Sequence, residues 1–111
     1  MIAGHRKPKE HLALVASLPC AACGRQPVQA HHLLRTPDHE HGTGKRSGDN
    51  WTIPLCGECH TTLHRDGNET RWLAARVIDG PALAATLWAA KDYEEAANII
   101  GTSWLNASFA R

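Results

Sequence analysis

Residues Leu55 to His64 read LCGECHTTLH. Two cysteines and two histidines fall within ten residues, and all four side chains ligate metals. One ion for all four is the first reading to weigh. Finger-type sites set about a dozen residues between the Cys pair and the His pair. Here His60 directly follows Cys59. On a helix, adjacent side chains point roughly 100° apart, so the four do not converge on one point. Two ions suit the spacing better. Cys56 and Cys59 then join CAAC (Cys20, Cys23) upstream in a closed four-cysteine site. Two C-x-x-C pairs read as zinc more readily than as disulfides where no export signal is read.

His60 and His64 are thereby released. Four residues apart, they share a helix face. H-x-x-x-H is a standard way to present two imidazoles to one ion. Such an ion wants a third protein ligand. The pair His31-His32 lies eight residues after Cys23, where the four-cysteine staple carries it toward the helix. Neighbours on a strand face opposite ways. One of the two can therefore ligate, and the other must serve some other purpose.

The surrounding chain reads as short elements. Pro8 opens a helix through KEHLALVASL, and Pro19 stops it. CAACG is a tight knuckle with Gly24 relieving the turn. PVQAHHLL (27–34) and NWTIPL (50–55) read as strands. Between them, residues 35–49 form a polar loop long enough to suggest a function. GECHTTLHRDG reads as a helix ended by Gly67. Asn68 caps a further helix, ETRWLAARVI, that stops at Asp79-Gly80. Pro81 starts a last helix, PALAATLWAAKDYEEAAN. Trp51, Trp72 and Trp88 read as core. The tail from Gly101, with Trp104, Leu105 and Phe109, either docks on the domain or meets a partner. The expectation is one α+β domain over residues 1–111. Its core is about 18–67, with a helical extension about 68–100 and a tail 101–111.

A chain of 111 residues buries only a modest core, so a stapling metal helps. Net charge is +1, too small to announce a nucleic-acid binder. It is unevenly spread. Residues 1–65 carry eight Lys/Arg against five Asp/Glu, and residues 66–111 carry four against six. That is compatible with a polyanion partner without requiring one. Arg6, Lys7 and Lys9 before LALVASLPC loosely mimic an export signal, but the apolar run is short and holds His11 at its start. No run approaches membrane-spanning length, so a cytoplasmic protein with no membrane partner is expected.

Taken together, C-x-x-C, His-His, Asn50 and L-C-x-x-C-H-x-x-x-H resemble the HNH endonuclease family in its four-cysteine form. The resemblance spans residues 20–64. The segment GTGKRSGDNWTIPLCGECHTTLHRDGNE is also similar to phage and prophage HNH proteins of the recombination-enhancement nuclease group. The resemblance implies a ββα-metal core stapled by structural zinc on Cys20, Cys23, Cys56 and Cys59. It implies that His32 is the general base and that Asn50 helps orient it, with Asp49 the rival for that role. His31, His60 and His64 would hold a catalytic divalent ion. His31 stands where the family often has Asp, which puts magnesium in doubt; three imidazoles suit Zn2+, Ni2+, Co2+ or Mn2+ better than Mg2+.

Elementary chemistry agrees with that assignment. Phosphodiester hydrolysis needs an activated water and stabilisation of the leaving oxyanion. An imidazole ordinarily titrates near pH 6.5 and suits a base at working pH. Arg35, Lys45, Arg46 and Arg65 flank the site and are candidates for DNA phosphate contacts. His39 and His41 are loop residues, and His5 and His11 have no expected role. The implied partner is DNA, with a protein that loads or presents it also credible. Two other readings stay open: a non-catalytic zinc-stapled DNA-binding module, and a regulatory protein working through its acidic helices and tail.

Overall fold

The two stretches that read as strands pair with each other. A computed structural model describes residues 6–37 and 47–109 of the chain. In it, β1 (Val28–His32) runs antiparallel to β2 (Thr52–Cys56). Val28 sits opposite Cys56, and His32 sits opposite Thr52. The sheet therefore has a cysteine end and a histidine end, roughly 13 Å apart at about 3.3 Å per residue. Every residue of β2 is buried, in keeping with a strand covered on both faces. Pro54 is tolerated mid-strand. Its carbonyl points away from β1 to accept the Ala21 N–H at 2.9 Å, so its missing N–H falls on the side that the ladder does not use.

Five helices surround this pair: α1 (Pro8–Ala16), α2 (Gly57–Asp66), α3 (Glu69–Ala74), α4 (Gly80–Ala89) and α5 (Tyr93–Phe109). The result is a small α+β fold with one two-stranded sheet. α1, α2 and α4 pack on β2. Leu18, Leu33, Ile53, Leu55, Leu63, Leu87 and Ile100 are fully buried between them. Trp72 lies in the core, Trp51 packs against its edge, and half-buried Trp88 meets His11 edge-on at 4.8 Å. Among the described residues, no helix is long and apolar enough to cross a membrane.

Local signals set several boundaries where the sequence puts them. Gly67 ends α2 in the left-handed conformation (φ 79°), its N–H on the Leu63 carbonyl. Asn68 caps α3, its Oδ1 accepting the Arg71 N–H at 3.0 Å. Other boundaries differ from expectation. α3 stops at Ala74 rather than running to Ile78. The Ile78 N–H bonds the Leu73 carbonyl and the Val77 N–H bonds the Ala74 carbonyl, the paired closure of a Schellman motif. Val77 takes the left-handed position (φ 59°) that glycine usually fills. The turn buries Ile78 in the same core cluster as Leu73.

The expected single helix over 81–98 is two. Ala90 is extended (ψ 136°), and α5 begins at Tyr93 with Asp92 accepting the Glu95 N–H at 2.9 Å. The freed end of α4 is satisfied from far away. The Arg6 guanidinium donates to the Leu87 and Ala90 carbonyls, both at 2.8 Å. Its Nε also donates to Nδ1 of buried His11 at 3.0 Å. Of the expected tail, residues 101–109 are helical and belong to α5, and Ala110 and Arg111 lie outside the described residues.

Candidate metal centres

The CAACG turn folds on itself. The Gly24 N–H bonds the Cys20 carbonyl at 2.8 Å, and the Ala22 N–H points at Cys20 Sγ, 3.4 Å away. Gly24 has φ +79°, which an L side chain rarely adopts. α5 buttresses the turn, with Ser103 Oγ donating to the Ala21 carbonyl at 2.9 Å. The second pair comes from a strand-to-helix junction. Cys56 ends β2 and caps α2, and Cys59 lies in the first turn of α2. The bond from Ala21 to Pro54 carries the CAACG turn onto this junction.

One sulfur from each cysteine lies within 4.8 Å of all the others. Cys23 and Cys56 are 3.6 Å apart. A tetrahedral zinc with Zn–S of about 2.3 Å wants sulfurs about 3.8 Å apart. The four thiols are free and mostly buried. The Cys20 thiol is pulled down to about 4, chiefly by the hydrogen bond from Cys59. The hydrogen bond with Cys20, then burial, pushes the Cys59 thiol up. Four cysteines so placed could hold a structural metal such as zinc.

A second cluster forms at the histidine end of the sheet. His31, His60 and His64 each bring one ring nitrogen within 4.8 Å of the other two. The Nε2 atoms of His60 and His64 are 3.1 Å apart. His31 is buried, His60 half-buried and His64 exposed, so the cluster opens to solvent on one side. Burial, then the charges of His31 and His64, pull the His60 imidazole below its ordinary value. That favours the neutral ring with a free lone pair, the form that binds a metal.

His31 has an additional partner. Its Nε2 is 2.6 Å from Glu69 Oε1, and the Leu34 N–H donates to Glu69 Oε2 at 2.8 Å. Glu69 is 8% exposed. Sequence reasoning missed it. In the first turn of a capped helix, a glutamate reads as a complement to the helix dipole, and nothing local sets it apart.

His32 points away from this cluster. Its Nε2 is 2.9 Å from Asp49 Oδ1, with the two side chains 16% and 25% exposed. This contact is with Asp49, the rival named above, rather than with Asn50. Both residues sit in a turn closed by the Trp51 N–H on the Gly48 carbonyl at 2.9 Å. Thr52 Oγ1 holds the Asp49 carbonyl at 3.0 Å, and Asp49 is the residue that faces β1. Arg35 and Arg65 are exposed. Arg65 lines a cleft with Thr62, Asp66, Arg71, Trp72 and Arg76, where Arg76 stacks on the Trp72 ring at 3.5 Å. Lys45 and Arg46, with His39 and His41, lie outside the described residues.

Residues 4–73 match the family model described as protein of unknown function DUF968. The chain belongs to this family. The matched span runs from α1 into α3 and takes in the four-cysteine and three-histidine clusters, Asp49 and Glu69; α4 and α5 lie beyond it. The chain is also similar to the uncharacterized protein YdfU of Escherichia coli strain K12. The two are 36% identical over 52 residues, 47% of this chain and 14% of that protein. The chain thus spans a small part of the relative's length. No solved structure matches the chain. Neither description names an activity, so the functional reading rests on the DUF968 chain's own geometry.

Proposed function

We propose that this chain is a metal-dependent HNH endonuclease that hydrolyses DNA phosphodiester bonds. On this reading β1, β2 and α2 form a ββα-metal core. Zinc on Cys20, Cys23, Cys56 and Cys59 is structural. The observation that carries the proposal is the division of labour at His31 and His32. Adjacent in β1, one joins an open three-histidine cluster and the other pairs with a carboxylate.

The donor set fits a divalent ion. Three imidazoles with an exposed side match a catalytic site, which keeps a position open. They suit Zn2+, Ni2+, Co2+ or Mn2+ better than Mg2+. Bound by His31, His60 and His64, the ion would supply positive charge at the scissile phosphate. The other work falls to the protein. Asp49 accepts the Nε2 proton of His32, which leaves Nδ1 bare. That nitrogen takes a proton from water as the water oxygen bonds to phosphorus and the bond to the 3′ oxygen breaks. Asp49 holds the ring in this tautomer and stabilises the imidazolium that forms. Arg35 and Arg65, with Lys45 and Arg46, are assigned to phosphates. Net charge of +1 fits modest intrinsic affinity and a partner that delivers substrate. Free thiols fit a reducing compartment, so the chain is assigned to the cytoplasm.

The test is nicking of supercoiled plasmid by protein loaded with each of these metals in turn, beside His32→Ala protein. Cleavage by the native chain that falls about 10²–10⁴-fold in the variant is the expected result. DNA binding without cleavage under every metal would replace this reading with the binding module.

A further inference from the structure

We infer that Glu69 is a positioning carboxylate for the histidine metal site, holding His31 in its ligating tautomer and lending the site negative charge. The inference rests on the metal-site reading above and goes beyond it.

Three neutral imidazoles bring no negative charge to a dication. Glu69 brings one at a distance of one ring. Its Oε1 meets Nε2 of His31 at 2.6 Å, and an ionised carboxylate only accepts hydrogen bonds. The proton must then sit on Nε2, and Nδ1 of His31 is left with the lone pair a metal needs. The second oxygen is committed too, accepting the Leu34 N–H at 2.8 Å. Glu69 is therefore placed to orient a ligand rather than to be one.

Burial makes the case stronger. The side chain is about as enclosed as His31, at 6% against 5% exposed. A buried carboxylate is costly unless a cation balances it. Among the described residues, its ion-pair contact is with His31 alone, and His31 is neutral when it ligates. A dication on the far side of the imidazole completes the balance. With an ion held by His31, a carboxylate on the other ring nitrogen would raise the basicity of the ligand and fix its ring. α3 has a purpose on this view. Asn68 caps it so that Glu69 enters the sheet end beside β1.

Two measurements decide the matter. Long-range 1H–15N NMR on the native protein, with zinc in the four-cysteine site only, reads the tautomer of His31. The Nε2-protonated form is expected; the Nδ1-protonated form would overturn the inference without need of any variant. Calorimetric titration of Ni2+ into the same zinc-loaded protein reads the second site. Glu69→Gln, with its charge gone and an NH2 facing either Nε2 or the Leu34 N–H, should bind about 10–100-fold more weakly. Glu69→Asp should recover part of that loss. Equal affinity in native and Glu69→Gln protein, both folded by circular dichroism, would refute the role of Glu69 while leaving the metal site intact. No second ion in native protein would instead sink the metal-site reading and this inference with it. A native His31 protonated on Nδ1 would count against Glu69 alone.

Discussion

The indole of Trp104 lies 2.9 Å from the point that a Cβ on Gly24 would occupy. α5, the last element of the chain, is thus seated on the first cysteine turn. Gly24→Ala must both tolerate φ +79° and push the ring away. The backbone strain costs about 1–2 kcal/mol, and overpacking adds about 1–3 kcal/mol. Denaturant unfolding should show a loss within that combined range. A second variant, Gly24→Ala with Trp104→Leu, separates the terms, because it relieves the clash and leaves the strain. No loss of stability in Gly24→Ala would mean the turn and α5 are not packed as described.

Removal of metal from the four-cysteine cluster tests what joins the CAACG turn to the β2–α2 junction. Formation of such a site contributes on the order of 10 kcal/mol to folding, comparable to the whole stability of a small domain. Cys56→Ser, or strong chelation of the native chain, should unfold it, as read by circular dichroism. A folded Cys56→Ser protein with unchanged zinc content would contradict the assignment.

Val77 holds a left-handed conformation (φ 59°) with its side chain largely exposed. The strain costs about 1–2 kcal/mol relative to a residue without a Cβ. Glycine loses more backbone entropy on folding, by roughly 0.5–1 kcal/mol. Val77→Gly should therefore stabilise the chain by about 0.5–1 kcal/mol in denaturant titration. A loss of stability would show that the side chain of Val77 contributes packing beyond its exposed position.

Asp49 and Asn50 compete for one role, and cleavage kinetics can rank them. Asp49→Asn removes the carboxylate that accepts from Nε2 of His32. It should cost on the order of 10² or more in rate, approaching the loss for His32→Ala. Asn50→Ala should cost much less. The reverse order would return the orienting role to Asn50.

pH should act on the metal-free histidine cluster in a stated direction. The folded chain holds the His60 imidazole below its ordinary value, first by burial and then by the charges of His31 and His64. The unfolded chain takes up that proton first as pH falls through about 6.5. Stability at this site is therefore present above that pH and is lost below it. Urea midpoints of protein with zinc in the four-cysteine site only, taken at neutral pH and about one unit below 6.5, should fall more for the native chain than for His60→Gln. Equal falls would show that protonation of His60 is not what the fold resists.

Local signals were legible because their physics is local. Gly67 and Asn68 end and begin helices through bonds that span four residues or fewer. C-x-x-C and H-x-x-x-H announce candidate ligands because their spacing alone places the side chains on one side of a turn or helix, and both sets do cluster. The opposite facing of His31 and His32 follows from the two-residue period of a strand. All of this could be read before any fold was known, and so could the pairing of two strands into a small α+β unit.

Long-range partners decided the rest. Glu69 finds His31 across 38 residues, and Arg6 finds the end of α4 across more than 80. The carbonyls left at the end of α4 find their donor in that second meeting, which no window around Ala90 contains. Asp49 rather than Asn50 faces His32 because the turn before β2 aims one of them at β1. The docking of the last helix depends on the hollow that Gly24 leaves for Trp104. In each case the energy comes from burying or bonding groups that are distant in sequence, and a short window of sequence holds only one of the two partners.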